Sequence, residues 1–152
     1  MTQTRIILVR HAQPFVPRPD GPNDYQRPLT EAGMAQAERL VAALARTTPT
    51  LIASSPYLRA VQTVEPLARV VGMPIRTEHD LREWDSGVDP TPDYACHYAE
   101  SWADPHLARP GAESLHQLTA RATAILTSLA KEHPDGTVVI GSRGIHITGP
   151  GL

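Results

Sequence analysis

The sequence predicts one α/β domain, a three-layer sandwich in which a mostly parallel central sheet lies between crossover helices. Three observations predict this fold. The chain has 152 residues, which is the usual size of a single domain. It contains three short apolar runs rich in β-forming residues, and helical periodicity occupies the segments between them. Strands that alternate with helices in this way form parallel sheets.

The apolar runs are 6–9, 51–54 and 138–141, and each is followed by a polar or glycine break. Short apolar runs bounded in this way are typical of strands that are buried on both faces. Ligands of such sheets bind beyond the carboxyl ends of the strands. The residues that follow the three runs are therefore the first candidates for a functional site.

The first and the last helical patterns have clear starts. Thr30 is the candidate N-cap of the first helix. The last helix is predicted to begin near Ser114 and to end before His133. The apolar residues that share one face are Ala37, Leu40, Val41 and Leu44 in the first helix, and Leu115, Leu118, Ala122, Ile125 and Leu129 in the last.

The middle helix is predicted to begin directly after the second strand. Ser55 is its candidate N-cap, and Pro56 occupies the first helical position, where a missing N–H costs nothing. Pro66 lies inside the pattern and predicts a kink or an early end. The apolar face consists of Tyr57, Val61, Val64 and Ala68.

Two long irregular segments, 12–29 and 85–110, hold nine of the 15 prolines. Loops of this length are usually functional or disordered, and we expect these two to frame the site at the strand ends. Within the second segment, Tyr94, Tyr98 and Trp102 recur every four residues. This spacing predicts an aromatic stripe on a short helix that packs against the core.

Charge and cysteine content exclude several classes of protein. The chain has 14 basic and 16 acidic residues, a net charge of −2, which predicts no nucleic-acid partner. The apolar run at the amino terminus is too short for a signal peptide or a membrane span, so no membrane association is expected. Cys96 is the only cysteine and therefore forms no intramolecular disulfide, which predicts a cytoplasmic location.

Basic residues follow each predicted strand: Arg10 and His11 after the first, Arg59 after the second, and Arg143 after the third. Their convergence would create a cationic pocket that suits a phosphate, because guanidinium groups bind its oxygens through forked N–H donors. The imidazole of His11 can be neutral near pH 7 and can then attack phosphorus directly.

Short blocks of sequence add a family resemblance. They lie at 8–12, 29–33, 53–63, 81–87, 110–114 and 138–142. In this order they resemble the histidine phosphatase superfamily, also called phosphoglycerate mutase-like. Block 8–12 looks like the family's Arg-His-Gly signature, with Ala12 in place of the glycine.

The resemblance implies a role for four residues. His11 would be the nucleophile that forms a phosphohistidine, and Arg10 and Arg59 would bind the phosphoryl oxygens. Glu83 would donate a proton to the leaving oxygen, a contribution of about 10² to 10⁴ in rate. From the residues alone, three nearby carboxylates are alternatives to Glu83: Glu78, Asp80 and Asp85.

The implied function is hydrolysis of a small phosphomonoester, with no metal and no cofactor. One alternative is a phosphoglycerate mutase-type transfer of the phosphoryl group. A second alternative is a domain that binds phosphorylated ligands without turnover. Arg143 motivates it, because it stands where the family has its second histidine and would bind the phosphate in that histidine's place.

The end of the chain also departs from the family. Few residues follow Gly141, so the helix that family members usually add there is expected to be missing, as in a truncated domain. A sheet face left uncovered in this way would favour association, and a homodimer is expected. Residues 1–152 are predicted to form this single domain.

Overall fold

Four parallel strands organise the fold: β1 (Arg5–Arg10), β2 (Leu51–Ser54), β3 (Ile75–Thr77) and β4 (Thr137–Ser142). They form one sheet in the order β1-β4-β2-β3. The computed structural model describes residues 3–87 and 94–143. The predicted α/β class with a parallel sheet is confirmed.

The helices connect the strands and flank the sheet. They are α1 (Glu31–Ala45), α2 (Leu58–Val71), α3 (Tyr94–Ala103) and α4 (Leu115–Glu132). Two single 3-10 turns lie at Asp24–Gln26 and His79–Leu81. Among the described residues, no helix is long and apolar enough to cross a membrane.

Neighbouring residues of the same strand pack into two different apolar clusters. Ile52 belongs to a cluster with side chains of α1 and α2, whereas Ala53 belongs to a cluster with side chains of α4. Because successive side chains of a strand point to opposite faces, the two clusters lie on opposite sides of the sheet. The structure therefore has the three predicted layers.

Two helix starts agree with the sequence. The Thr30 side chain accepts a hydrogen bond from the Gly33 N–H at the start of α1. Ser114 and Gln117 form a reciprocal capping box at the start of α4, and His133 is the C-cap of that helix. Each such cap satisfies amide groups that the first helical turn leaves without partners.

The predicted start of α2 is wrong by a few residues. Ser55 is not its N-cap: the Ser55 N–H donates to Gly141 at 2.9 Å, so this residue still continues the sheet. The N-cap is Tyr57, and its side chain makes no capping hydrogen bond within the described part of the chain. The helix also does not end early at Pro66, which is buried within it. It continues to Val71 and closes at Gly72 with φ 70°.

Strand β3 is absent from the sequence-based prediction. It has three residues with a single apolar side chain, Ile75, so neither its length nor an alternation of apolar and polar residues marks it as a strand.

The predicted aromatic stripe is corrected in part. Trp102 is 51% exposed and does not pack in the core, whereas Tyr98 packs on Trp84 with ring centroids 5.2 Å apart. The Tyr94 side chain lies outside the described residues. So do residues 144–152, where the helix that family members usually add is predicted to be absent.

Two glycines allow helices to approach the strand ends closely. A Cβ on Gly141 would lie 2.9 Å from the carbonyl oxygen of Ala60, so β4 and α2 come together only without a side chain there. A Cβ on Gly33 would overlap the carbonyl of Gln13. Both contacts bring helices to the edge of the sheet where the predicted site residues lie.

Candidate active site

The carboxyl ends of β1, β4 and β2 are joined by backbone hydrogen bonds just beyond the sheet. The His11 N–H donates to Ser142, and the Ser55 N–H donates to Gly141, each at 2.9 Å. These bonds extend the parallel pairing by one residue on each side of β4. His11 is therefore held at the strand ends by the sheet itself.

The imidazole of His11 has a defined tautomer. Its Nδ1 lies 2.8 Å from the carbonyl oxygen of Ala12. A carbonyl can only accept a hydrogen bond, so Nδ1 carries the proton and donates it. The lone pair of Nε2 is then available to react with an electrophile.

The surroundings of His11 favour its neutral form. Burial lowers the pKa of this half-buried imidazole below its usual value of 6.5. The charges of Arg59 and Arg143 lower this pKa further, while the hydrogen bond to Ala12 and the charge of Glu83 act in the opposite direction. The lowered pKa favours the neutral imidazole of His11 at physiological pH.

Ala12, which replaces the glycine of the signature, is part of a buried connection. It packs with Leu29 and Ala37 in a small apolar cluster. Its N–H donates to the hydroxyl of Thr63 at 3.0 Å, and that hydroxyl donates to the carbonyl of Arg59 at 2.7 Å. The segment that carries His11 is thus linked to the first turn of α2.

Arg59 is the largest fully buried side chain in the described structure, at 1% exposed. Its Nη2 donates to the Glu83 carboxylate at 2.8 Å. Its Nη1 donates to the Asp24 carbonyl at 2.8 Å, and the Asp24 carboxylate lies 3.2 and 3.3 Å from the two terminal nitrogens. The guanidinium also lies over the ring of Tyr57, 4.5 Å from its centroid.

Glu83 bridges two of the predicted cations. One carboxylate oxygen accepts from Arg59, and the other accepts from Arg143 Nη1 at 3.2 Å. The Glu83 side chain is 14% exposed, whereas that of Arg143 is 58% exposed. Arg143 therefore reaches the cluster from the solvent side.

The alternatives to Glu83 lie in other interactions. Glu78 pairs with Arg76, and Asp80 pairs with Arg82 at 3.6 Å. The carboxylate of Asp85 accepts from the Gly87 N–H. Of the four carboxylates considered from sequence, Glu83 is the one that the fold brings to the cationic cluster.

Arg10 follows a different course from the other predicted residues. It is exposed at the end of β1, where it pairs in register with Ser142. Within residues 3–87 and 94–143, the ion pairs that join Arg59, Glu83 and Arg143 do not include it. Its predicted contact with a phosphoryl group stays a prediction.

Sequence reasoning missed Asp24 and Tyr25, which belong to the long loop 12–29. Tyr25 stacks on Tyr57, with ring centroids 4.6 Å apart and an interplanar angle of 4°. Burial raises the pKa of Asp24, but Arg27 and Arg59 outweigh that effect and leave it below its ordinary value. The one indication of these contacts in the sequence was the position of this loop, which was predicted to frame the site.

A metal site would need several ligand side chains close together. Across the described ranges, no group of three or more His, Cys, Asp or Glu residues could hold a metal ion. The side chains that converge at the strand ends are one imidazole, two guanidinium groups and the carboxylates that pair with them. This set suits an oxyanion ligand rather than a cation.

Comparisons with known proteins identify a protein superfamily and several phosphatases with a similar fold. The model of the histidine phosphatase superfamily (branch 1) matches residues 6–148. A mycobacterial glucosyl-3-phosphoglycerate phosphatase superimposes with a TM-score of 0.75 at 26% identity, over 93% of this chain and 74% of that one. The same phosphatase has been solved in complex with inorganic phosphate, with a TM-score of 0.71 at 26% identity over 93% and 73% of the two chains.

Two further relatives have different descriptions. A putative phosphohistidine phosphatase, SixA from Agrobacterium tumefaciens, has a TM-score of 0.58 at 25% identity, over 93% of this chain and 70% of that one. The 55 kDa subunit of transcription factor tau from Saccharomyces cerevisiae is 30% identical in a 93-residue alignment that covers 55% of this chain. That match spans 21% of the yeast protein.

Proposed function

Because the chain belongs to the histidine phosphatase superfamily (branch 1), we propose that it hydrolyses a small phosphomonoester through a phosphohistidine on His11. One observation carries this proposal. The Nδ1 proton of His11 is donated to the Ala12 carbonyl, which leaves a neutral imidazole with a free Nε2 beside Arg59, Glu83 and Arg143. The family and its phosphatase relatives support the reaction class.

The first step transfers the phosphoryl group to the protein. Nε2 of His11 attacks phosphorus, and the bond from phosphorus to the ester oxygen breaks. The carboxyl group of Glu83 carries a proton at the start of this step, so its hydrogen bonds from Arg59 and Arg143 are not ion pairs at that moment. Glu83 gives this proton to the departing oxygen, which leaves as an alcohol. Charge spreads over the equatorial oxygens in such a transition state, and Arg59 and Arg143 are the cations at hand to stabilise it.

The second step returns the protein to its starting state. Glu83, now ionised, takes a proton from a water molecule as the water oxygen attacks phosphorus. The bond between phosphorus and Nε2 of His11 breaks, and inorganic phosphate leaves. The protein ends with the same protons that it had at the start.

Substrate entry has a requirement of its own. The terminal nitrogens of Arg59 already donate to Asp24 and Glu83. A phosphoryl group that binds these terminal nitrogens must displace at least one of the two carboxylates. Asp24 is the better candidate to leave, because its side chain is 55% exposed whereas that of Glu83 is 14% exposed.

A second candidate function is binding of a phosphorylated ligand without turnover. The observation that favours it is Arg143, which is 58% exposed and holds Glu83 in an ion pair. A permanently charged guanidinium tethered to the proposed proton donor would keep that carboxylate from the leaving oxygen. The partial match to a transcription factor subunit is compatible with such a role.

The test is hydrolysis of p-nitrophenyl phosphate by the chain itself and by His11→Ala, with His116→Ala as an exposed histidine control. Phosphatase function predicts turnover that His11→Ala abolishes and His116→Ala preserves. Phosphate release that survives His11→Ala would remove the proposed mechanism. Turnover that appears only in Arg143→His would support the binding function for the natural chain.

A further inference from the structure

The structure assigns a positioning role to Arg121, a residue of α4 that holds the segment carrying Glu83. This inference rests on the proposed function, because it concerns the proposed proton donor. Among the described residues, Arg121 makes no hydrogen bond or ion pair with His11 or with the arginines that are proposed to bind phosphate. Its partners are the backbone of residues 80–83 and the carboxylate of Glu113.

The Glu83 segment lacks regular structure of its own. After the 3-10 turn His79–Leu81, residues 82–87 form neither helix nor strand. The carbonyl groups of such a segment need donors from elsewhere when they are partly buried. A proton donor on this segment therefore depends on what the rest of the fold supplies.

Arg121 supplies those donors. Its Nη1 donates to the carbonyl oxygens of Asp80 and Arg82 at 2.7 and 2.9 Å. Its Nη2 reaches the carbonyl of Glu83 itself at 3.4 Å. One planar guanidinium thus contacts three carbonyls of the segment that ends at the proposed acid.

Glu113 orients Arg121 for this task. Its carboxylate accepts from Nε at 2.9 Å and from Nη2 at 2.8 Å, a bidentate pair in which both side chains are less than 15% exposed. The backbone of Glu113 adds two more links. Its N–H donates to Asp85, and its carbonyl accepts from Trp84 Nε1, each at 2.8 Å.

Apolar packing completes the attachment at the other end. Leu81 is fully buried and shares a cluster with Ala122, the residue after Arg121. The segment is therefore fixed to α4 before and at Glu83, and to Glu113 just ahead of α4 after it. This also gives a purpose to the block 110–114, which the proposed chemistry itself does not use.

The proposal is tested by whether Arg121 acts through Glu83. Arg121→Gln is measured with p-nitrophenyl phosphate, whose leaving group needs little protonation, and with glycerol 2-phosphate, whose alkoxide leaving group needs it. The readout is kcat/KM, which reports the steps up to departure of the leaving group and excludes the later hydrolysis step that both esters share. We expect kcat/KM for glycerol 2-phosphate to fall about 10²-fold, since a misplaced catalytic group costs about that much, and kcat/KM for the aryl ester to fall less than about 3-fold.

A double-mutant cycle separates positioning from general loss of structure. In the Glu83→Gln background, Arg121→Gln should change kcat/KM by less than about 2-fold, because the group that it positions is gone. Equal losses of kcat/KM with both substrates, or losses that multiply in the cycle, would overturn the assignment. Arg69→Gln, which breaks an exposed ion pair with Glu38, is the matched control and should leave kcat/KM unchanged.

Two additions keep the test decisive. Arg121→Lys retains the charge beside Glu113 but loses the fork, and it replaces Arg121→Gln if that variant does not fold. The same cycle is also run on the Kd of inorganic phosphate, which needs no turnover. There we expect the two substitutions to be non-additive, and additive effects would contradict the inference. A chain that binds phosphate with this coupling but hydrolyses neither ester would refute the proposed function alone.

Discussion

Oε2 of Glu83 lies 3.2 Å from Nη1 of Arg143, and Oε1 of the same carboxylate lies 2.8 Å from Nη2 of Arg59. The two ion pairs share one carboxylate but differ in their surroundings. Arg59 is 1% exposed and Arg143 is 58% exposed. Their contributions to stability should therefore differ strongly.

Arg59→Gln is expected to lower the free energy of unfolding by about 3 kcal/mol, because it leaves the largely buried Glu83 carboxylate without its buried cation. Arg143→Gln should lower it by less than about 1 kcal/mol, as for exposed ion pairs. Urea unfolding followed by circular dichroism measures both. Equal losses for the two variants would show that the exposed pair carries as much stability as the buried one.

Asp24→Asn should tighten the binding of inorganic phosphate. The substitution removes a charge that competes for Arg59 but keeps the backbone carbonyl that Nη1 also contacts. A partly exposed ion pair is worth up to about 1 kcal/mol, so we expect Kd to fall about 2- to 5-fold by isothermal titration calorimetry. Asp20→Asn, in the same loop, serves as the control. Weaker binding by Asp24→Asn would mean that Asp24 helps to build the site.

The pH dependence of the reaction should reflect His11. Its pKa lies below 6.5, so the imidazole stays neutral as the pH falls through that value. The acidic limb of kcat/KM for p-nitrophenyl phosphate is expected below pH 6.5. A limb centred above that pH would contradict the neutral nucleophile.

The same lowered pKa makes folding stability depend on pH. The unfolded chain binds a proton at His11 at a higher pH than the folded chain does, so this residue's contribution is complete above 6.5 and is lost as the pH falls through the folded pKa. Urea unfolding at pH 7 and pH 5 should therefore show a smaller acid-induced loss of stability in His11→Gln than in the natural chain. An identical loss in both would exclude His11 as a source.

Gly141→Ala should destabilise the fold, because the added methyl would lie 2.9 Å from the Ala60 carbonyl. Overpacking of this kind costs about 1 to 3 kcal/mol. Gly21→Ala is the control, since its nearest neighbour there is a side-chain atom of the exposed Arg18 at 3.3 Å. Thermal unfolding that gives the two variants the same Tm would contradict the close approach of α2 and β4.

Much of the fold could be predicted because burial leaves a pattern in sequence. The helix that begins after Thr30 has apolar residues at helical spacing, and the strand 51–54 is a short apolar run with a polar break after it. Strand β3 could not be predicted, because its pairing with β2 comes from backbone groups that any residue carries. The start of α2 was missed for a related reason: the Ser55 N–H bonds to β4 across the sheet, a partner that local sequence does not name.

The candidate site divides in the same way. His11, Arg59, Glu83 and Arg143 were proposed from their positions after strands and from the family resemblance, and the fold brings all four together. Asp24 and Arg121 were not foreseen, because their contacts join residues far apart in sequence. The cytoplasmic location and the homodimer stay predictions.

The hydroxyl of Thr63 both accepts from the Ala12 N–H and donates to the Arg59 carbonyl, so one oxygen links the segment that carries His11 to the first turn of α2. Threonine and serine are the small residues that can do both. A substitution at position 63 that removes the hydroxyl would therefore disturb the placement of His11 and of Arg59 together.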